Sequence, residues 1–125
     1  MRALVVGLCI ALANSSPASA SDLLASGPVP TDLTANVAVC YLINVGSSTV
    51  TLSSIAIYYD FQTTPIPTIS NTCGGTLLPG KTCRTVSNIS PSTFVCRAVV
   101  SDKTNIRGDF QIRSGSVTTG HQALR

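Results

Sequence analysis

The sequence predicts an all-β protein folded as a two-layered antiparallel sandwich with two disulfide bonds. Short stretches of alternating apolar and polar residues recur along the chain, which is typical of half-buried strands. Glycine, proline and asparagine separate these stretches at regular intervals. No stretch after residue 20 has the periodicity of an amphipathic helix, and the same part of the chain contains four cysteines.

The first 20 residues have the pattern of a secretory signal peptide. Arg2 gives a positive start, residues 3–13 are almost wholly apolar, and residues 18–20 form a small-x-small cleavage site. The apolar run is shorter than the roughly 20 residues of a transmembrane helix, and an uncleaved N-terminal anchor is the alternative. We therefore expect a secreted or periplasmic protein that is not embedded in a membrane, with a mature chain that begins at Ser21.

Five predicted strands define one sandwich domain at residues 34–113, between a leader at residues 21–33, which allows a short edge strand because proline is tolerated there, and a flexible tail at residues 114–125. The strands are expected at residues 36–44, 50–61, 81–89, 94–101 and 105–113. The alternation slips at Ser53 and Ser54, which indicates a β-bulge or a switch of the strand's inward face. Residues 101–104 are expected to join the last two strands as a hairpin.

The first of these strands is apolar on both of its faces. One face carries Ala38, Cys40 and Leu42, and the other carries Val37, Val39, Tyr41 and Ile43. Two interpretations of the second face stay open. Other strands cover it, or it is exposed as a surface for a partner.

Cleavage of the signal peptide removes Cys9 and leaves an even set of cysteines, which are Cys40, Cys73, Cys83 and Cys96. In an oxidising compartment, four cysteines permit three connectivities. A zinc site is the alternative, but it requires short paired spacings with histidine or cysteine partners, and His121 is the only histidine. We therefore expect two disulfides and no metal or cofactor.

The positions of the four cysteines favour one pairing. Cys73 and Cys83 flank a Pro-Gly turn and can meet across it. Cys96 is expected to point inward, because the other face of its strand carries an arginine, and Cys40 lies in the middle of a facing strand. We therefore predict the bridges Cys40–Cys96 and Cys73–Cys83.

The spacing from Cys40 to Cys96 is compatible with the bridge between the two sheets of an immunoglobulin domain. The chain has no tryptophan to pack on such a bridge, and Phe94 stands where an antibody domain has the tyrosine of the tyrosine corner. An antibody-type domain is therefore not expected, whereas an immunoglobulin-like antiparallel β-sandwich is.

Two stretches of the chain resemble Hydin-type immunoglobulin-like domains. Residues 44–55 begin Asn-Val-Gly and continue with apolar alternation, which is similar to the opening of those domains. Residues 73–83 resemble their bacterial Cys…Thr-Leu-x-Pro-Gly-x-x-Cys segment. The resemblance implies a sandwich without catalytic residues, used for interaction or as a spacer in surface proteins.

Charge and the scarcity of catalytic side chains argue against two classes of function. The formal net charge is +3, and the sequence has no clustered basic stripes of the kind that nucleic-acid-binding proteins carry. A Ser-His-Asp triad would depend on His121, which lies in the predicted tail. Paired carboxylates would have to come from Asp60, Asp102 and Asp109, and turn or surface positions explain the last two. We expect a protein that is not an enzyme.

A group of arginines is the first candidate for binding. Arg97, Arg107 and Arg113 have the same outward parity on strands that are predicted to be adjacent. Arginine suits carboxylate, phosphate or acidic polysaccharide, and a solvated sheet face is the simpler alternative. An anionic ligand or an unknown protein is therefore the expected partner of a monomeric, secreted module with a structural or interaction role.

The loop from Cys73 to Cys83 is the second candidate. Its tip presents Leu78 and Lys81, which would suit a small inhibitor or binding protein, although such tips are also ordinary architecture. A pilus-type subunit completed by a donated strand is a third hypothesis, and the polar tail argues against it.

Overall fold

Residues 20–125 are described by a computed structural model, and they contain ten β-strands and no helix. The strands are β1 (Asp22–Ala25), β2 (Val29–Pro30), β3 (Val37–Asn44), β4 (Val50–Tyr59), β5 (Ser70–Asn71), β6 (Thr76–Leu77), β7 (Thr82–Asn88), β8 (Thr93–Val100), β9 (Ile106–Ser114) and β10 (Val117–Leu124). The predicted signal peptide lies outside the described residues, apart from its last residue.

The strands form two antiparallel sheets. The first sheet has the order β1-β8-β4-β6, with β2 also paired to β8, and the second has the order β10-β9-β3-β7-β5. Cys40 on β3 and Cys96 on β8 are fully buried and join the two sheets. Phe94 and Phe110, the largest fully buried side chains, fill the core between them. The architecture is therefore the predicted all-β antiparallel sandwich.

Both predicted disulfides are present. The Cα atoms are 6.1 Å apart in the Cys40–Cys96 bridge and 4.8 Å apart in the Cys73–Cys83 bridge. The five strands expected from the sequence correspond to β3, β4, β7, β8 and β9. The register of β4 against β8 shifts between Leu52 and Ser54, which confirms the bulge.

The central strands follow the order of an immunoglobulin domain, whose sheets contain strands A-B-E-D and C-F-G. When the bridged strands β3 and β8 are taken as B and F, β7 and β5 occupy the places of E and D, and β4 occupies that of C. The terminal strands are exchanged, because β9 pairs with β3 in the place of A and β1 pairs with β8 in the place of G.

The two terminal segments belong to the sandwich, so the flexible tail predicted for residues 114–125 is wrong, whereas the leader contains the short edge strand that its sequence allows. β1 and β2 pair with β8 and bury Leu24 and Val29, while β10 pairs with β9 and buries Leu124. The segments also meet each other, since Ala25 and Arg125 exchange backbone hydrogen bonds of 3.1 and 3.0 Å. Because the side chains of β10 are mostly exposed and polar, the sequence there carries no apolar alternation to reveal a strand.

The predicted hairpin between β8 and β9 is also wrong. Residues 101–105 cross from the first sheet to the second, where β9 pairs with β3 and β10. Alternation identifies which side chains of a strand point inward, but it does not identify the neighbouring strand. Consecutive strands are neighbours only about two-thirds of the time.

Asn44, at the end of β3, joins the two stretches that resemble Hydin-type domains. Its buried Nδ2 donates hydrogen bonds to the carbonyl oxygens of Ser48 (2.8 Å) and Leu77 (2.9 Å). Its Oδ1 accepts a hydrogen bond of 2.9 Å from the amide of Gly46. One side chain therefore fixes both the turn after β3 and the loop that the shorter disulfide closes.

Replacing Asn44 by alanine is expected to lower the free energy of unfolding by about 2–3 kcal/mol, because the buried carbonyl of Leu77 loses its donor. Urea denaturation followed by circular dichroism measures the change. Asn36→Ala is the matched control. The side chain of Asn36 makes a single, exposed hydrogen bond, which it accepts from the amide of Gly115, so the loss of this side chain should cost less than about 0.5 kcal/mol. Equal losses in the two variants would contradict this role of Asn44.

Candidate functional site

The outer face of the second sheet, which we call the Tyr41 face, is the candidate site. On β3, Ala38, Cys40 and Leu42 are buried against the first sheet, so the alternate residues point outward. No further strand of residues 20–125 lies over this face, although Val39 within it is only 3% exposed. Its outward residues are Val37, Val39, Tyr41, Ile43, Arg84, Val86, Arg107, Asp109, Gln111, Arg113 and His121.

Tyr41 lies at the centre of this face, between two arginines. Arg84 on β7 is its direct cross-strand partner. Arg113 on β9 donates a hydrogen bond of 2.9 Å from Nη2 to the Tyr41 hydroxyl, and its guanidinium carbon lies 5.7 Å from the ring centroid. Arg84 is exposed, and no residue of the described chain accepts a hydrogen bond from its guanidinium. Arg113 is therefore held in place, and Arg84 is free to contact a ligand.

Asp109 is the acidic residue of the Tyr41 face, and it is already bonded within the face. Its Oδ2 accepts a hydrogen bond of 2.7 Å from Gln111 Nε2, and its Oδ1 lies 3.7 Å from His121 Nδ1. Gln111 Oε1 accepts in turn from Arg113 Nε at 3.1 Å. His121 is 73% exposed on β10, not on a flexible tail. Three arginines and one carboxylate leave the Tyr41 face positively charged.

Two depressions border Tyr41. The first has a volume of about 260 Å³ and is lined in part by Tyr41, Ile43, Thr82 and Arg107. The second has a volume of about 270 Å³ and is lined in part by Tyr41, Thr82 and Arg84. Tyr41 and Thr82 line both depressions, which therefore lie side by side across β9, β3 and β7, and we refer to the two together as the groove. The groove combines an aromatic ring, apolar walls and a few charged groups, as binding sites do.

The three arginines grouped from the sequence do not share one face. Arg97 lies on β8, on the outer face of the first sheet, where its guanidinium carbon is 4.8 Å from the centroid of the Tyr58 ring. Arg107 and Arg113 lie near opposite ends of β9, and Arg107 Nη1 donates to two backbone carbonyl oxygens at 2.8 and 2.9 Å. The prediction of a common face is wrong because residues 101–105 cross between the sheets.

The tip of the disulfide loop is a turn held against the end of β3. Leu77 is buried, the amide of Gly80 donates to the carbonyl of Asn44 (2.8 Å), and the amide of Lys81 donates to the carbonyl of Leu78 (3.1 Å). Leu78 is 53% exposed and Lys81 is exposed. The two side chains lie on a tight turn, beside the exposed Pro79.

The three aspartates considered for acid–base chemistry lie apart. Asp60 follows β4 and Asp102 follows β8, which runs antiparallel to β4, so they lie at opposite ends of the first sheet. Hydrogen bonds from the side chain and then the backbone of Thr104 lower the pKa of Asp102, which caps a turn. Among residues 20–125, no cluster of histidine, cysteine and aspartate could hold a metal ion. A helix long and apolar enough to cross a membrane is likewise absent from residues 20–125.

Arg84 is the residue of the Tyr41 face that the sequence reasoning missed. It points outward between the buried residues Cys83 and Thr85, and this alternation is visible in the sequence. Its position opposite Tyr41 depends on the register between β3 and β7, which the alternation does not fix.

Comparisons of the chain with known protein families, with curated proteins and with solved structures found no match. The geometry of the Tyr41 face is therefore the basis for assigning a function.

Proposed function

We propose that this protein is an extracytoplasmic, non-enzymatic binding module that recognises acidic polysaccharide through the Tyr41 face. The observation that carries this function is the Tyr41 ring, which lies beside a shallow groove between a fixed and a free arginine. The two disulfides are compatible with an oxidising, extracytoplasmic location. Membership of the Hydin-type immunoglobulin-like family is part of this proposal, supported by the two stretches that Asn44 joins.

The shape and charge of the groove fit a chain of acidic sugars. Both depressions are open to solvent, so a polymer can lie across them without threading. The apolar face of a sugar ring packs on an aromatic ring, and the guanidinium fork of arginine matches a carboxylate. Arg113 is already ordered by Tyr41 and Gln111, which reduces the entropy lost on binding.

Arg84→Gln is expected to weaken the binding of alginate, a polymer of uronic acids, about tenfold at low salt. The physical reason is the loss of one charge-assisted contact, worth about 1.5 kcal/mol. Affinity electrophoresis and titration calorimetry measure the change. The affinity of the unsubstituted protein should also fall as salt approaches physiological strength, where the Debye length is about 8 Å.

Two matched controls separate the Tyr41 face from general attraction to a polyanion. Arg97→Gln makes the same substitution on the outer face of the other sheet, and Lys103→Gln removes a charge from the turn between the sheets. Both variants should bind alginate as the unsubstituted protein does. Recognition by the Tyr41 face would be contradicted if Arg97→Gln weakened alginate binding as much as Arg84→Gln does. It would also be contradicted if alginate retained none of the variants at low salt.

A small inhibitor that presents the disulfide loop is the second candidate function. The exposure of Leu78 and Lys81 favours it. The loop has less support than the Tyr41 face, because its tip is a tight turn bonded to Asn44. Inhibition of a protease that is lost with Leu78→Ala or Lys81→Ala would favour this function instead.

A further inference from the structure

The two ends of the sandwich carry opposite charges. The acidic end contains the loops before β3, after β4 and before β8, and the charged residues of these loops are Asp32 and Asp60. The basic end contains the opposite loops and strand ends, with Lys81, Lys103, Arg107 and Arg125 against Asp22 and Asp102. Arg113 reaches toward the acidic end on β9, but it is bonded to the hydroxyl of Tyr41 on the outer face.

The acidic end also projects apolar side chains. Leu33 is 90% exposed and Phe61 is 79% exposed, and they are the most exposed large hydrophobic residues in the described chain. Each directly follows an aspartate, Asp32 or Asp60. Both loops are anchored by backbone hydrogen bonds to residues 92–93 at the start of β8, so the two projections lie on the same end.

The basic end contains a depression that complements these projections. Its volume is about 460 Å³, within the range of small-molecule sites. Its floor is apolar and comes from Leu24, Ile106 and Leu124, all buried residues of the core. Its rim carries the three cations Lys103, Arg107 and Arg125.

The acids near this depression are engaged with the backbone. Asp22 Oδ2 accepts a hydrogen bond of 3.0 Å from the amide of Lys103, and Asp102 Oδ1 accepts one of 2.8 Å from the amide of Thr104. The ammonium of Lys103 forms no ion pair with a residue of the described chain. The rim therefore attracts an acidic group that arrives beside an apolar side chain.

We propose that this chain associates head to tail with a second copy of itself. Phe61 of one copy enters the depression at the basic end of the next, and Asp60 faces Lys103 and Arg125. A head-to-head contact would instead bring charges of the same sign together. Because the projection and the depression lie at opposite ends, the contact does not close on itself and extends into a linear array.

Head-to-tail association replaces the monomer expected from the sequence. Tyr41 and Arg84 lie on the outer face of the second sheet and take no part in it, and Arg107 is the residue that lines both the groove and the depression. The apolar contact excludes water, and the charge pairs align the two copies and respond to salt.

Sedimentation equilibrium of the fully oxidised protein tests this association. At low salt the weight-average mass is expected to rise with concentration past that of a dimer, and to fall when salt is added. Phe61→Ser should weaken association at least tenfold. Ile69→Ser is the matched control, because Ile69 is 57% exposed beside β5 on the side of the sandwich, and it should associate as the unsubstituted protein does.

Mixing two blocked variants distinguishes head-to-tail from head-to-head contact. Phe61→Ser blocks the acidic end, and Lys103→Glu combined with Arg125→Glu blocks the basic end. Each should be monomeric alone, and the mixture should form a one-to-one dimer and nothing larger. Circular dichroism establishes that each variant is folded, and Lys103→Glu alone replaces the double variant if that does not fold.

Three results would each overturn this inference. One is an unsubstituted protein that stays monomeric at every concentration. Another is a Phe61→Ser variant that associates as strongly as the unsubstituted protein. The third is a mixture of the blocked variants that remains monomeric.

Discussion

Replacing both Cys40 and Cys96 by serine is expected to lower the free energy of unfolding by about 4 kcal/mol, within the range of about 2–5 kcal/mol for a native bridge in a small secreted domain. The bridge closes a sequence separation of 56 residues, so its removal returns a large loop entropy to the unfolded chain. Both sulfur atoms lie in the core, where each serine hydroxyl would also be buried. Urea denaturation of the oxidised protein and the double variant measures the difference.

The second disulfide provides the matched comparison. Cys73 and Cys83 are separated by 10 residues, for which the same loop-entropy relation gives about 3 kcal/mol. Cys73 is half-buried, so a serine hydroxyl at this position stays more hydrated than one at the core positions. A larger loss from Cys73→Ser with Cys83→Ser than from the core pair would contradict this ranking.

The sequence predicted the inward and outward faces of individual strands well, because burial of one face leaves a period of two in the residues. β9 is the clearest case, with Ile106, Phe110 and Ile112 inward and Arg107 outward. The ends of the chain were not predictable in this way. β10 buries Leu124 at its end, and most of its other side chains are exposed and polar. Its pairing depends on backbone hydrogen bonds to β9, which leave no pattern in the residue types.

The candidate site was predictable only in part, because it depends on which strands are neighbours. Outward parity correctly placed Arg113 on an outer face, whereas the sequence left open whether the face of Tyr41 is covered or exposed. Parity placed Arg97 with Arg113 because β8 and β9 are consecutive in the sequence, although they belong to different sheets. Arg84, which does lie opposite Tyr41, is 43 residues away from it in the chain. Contacts at that separation follow from topology, and local pattern does not encode them.

Phe110→Ala is expected to lower the free energy of unfolding by about 3–5 kcal/mol, enough to unfold a domain of this size when its total stability is at the low end of the usual range. Phe110 is fully buried on β9 and lies opposite Cys40, so its loss leaves a cavity beside the bridge between the sheets. Arg107→Gln is the control on the same strand, because that side chain points outward and is exposed. It should lower the free energy of unfolding by no more than about 1 kcal/mol, because the two hydrogen bonds that Arg107 donates to backbone carbonyls are exposed or only half-buried. Thermal and urea unfolding of the two variants measure the difference in stability. A Phe110→Ala protein as stable as Arg107→Gln would show that the core is not centred on Phe110 of β9.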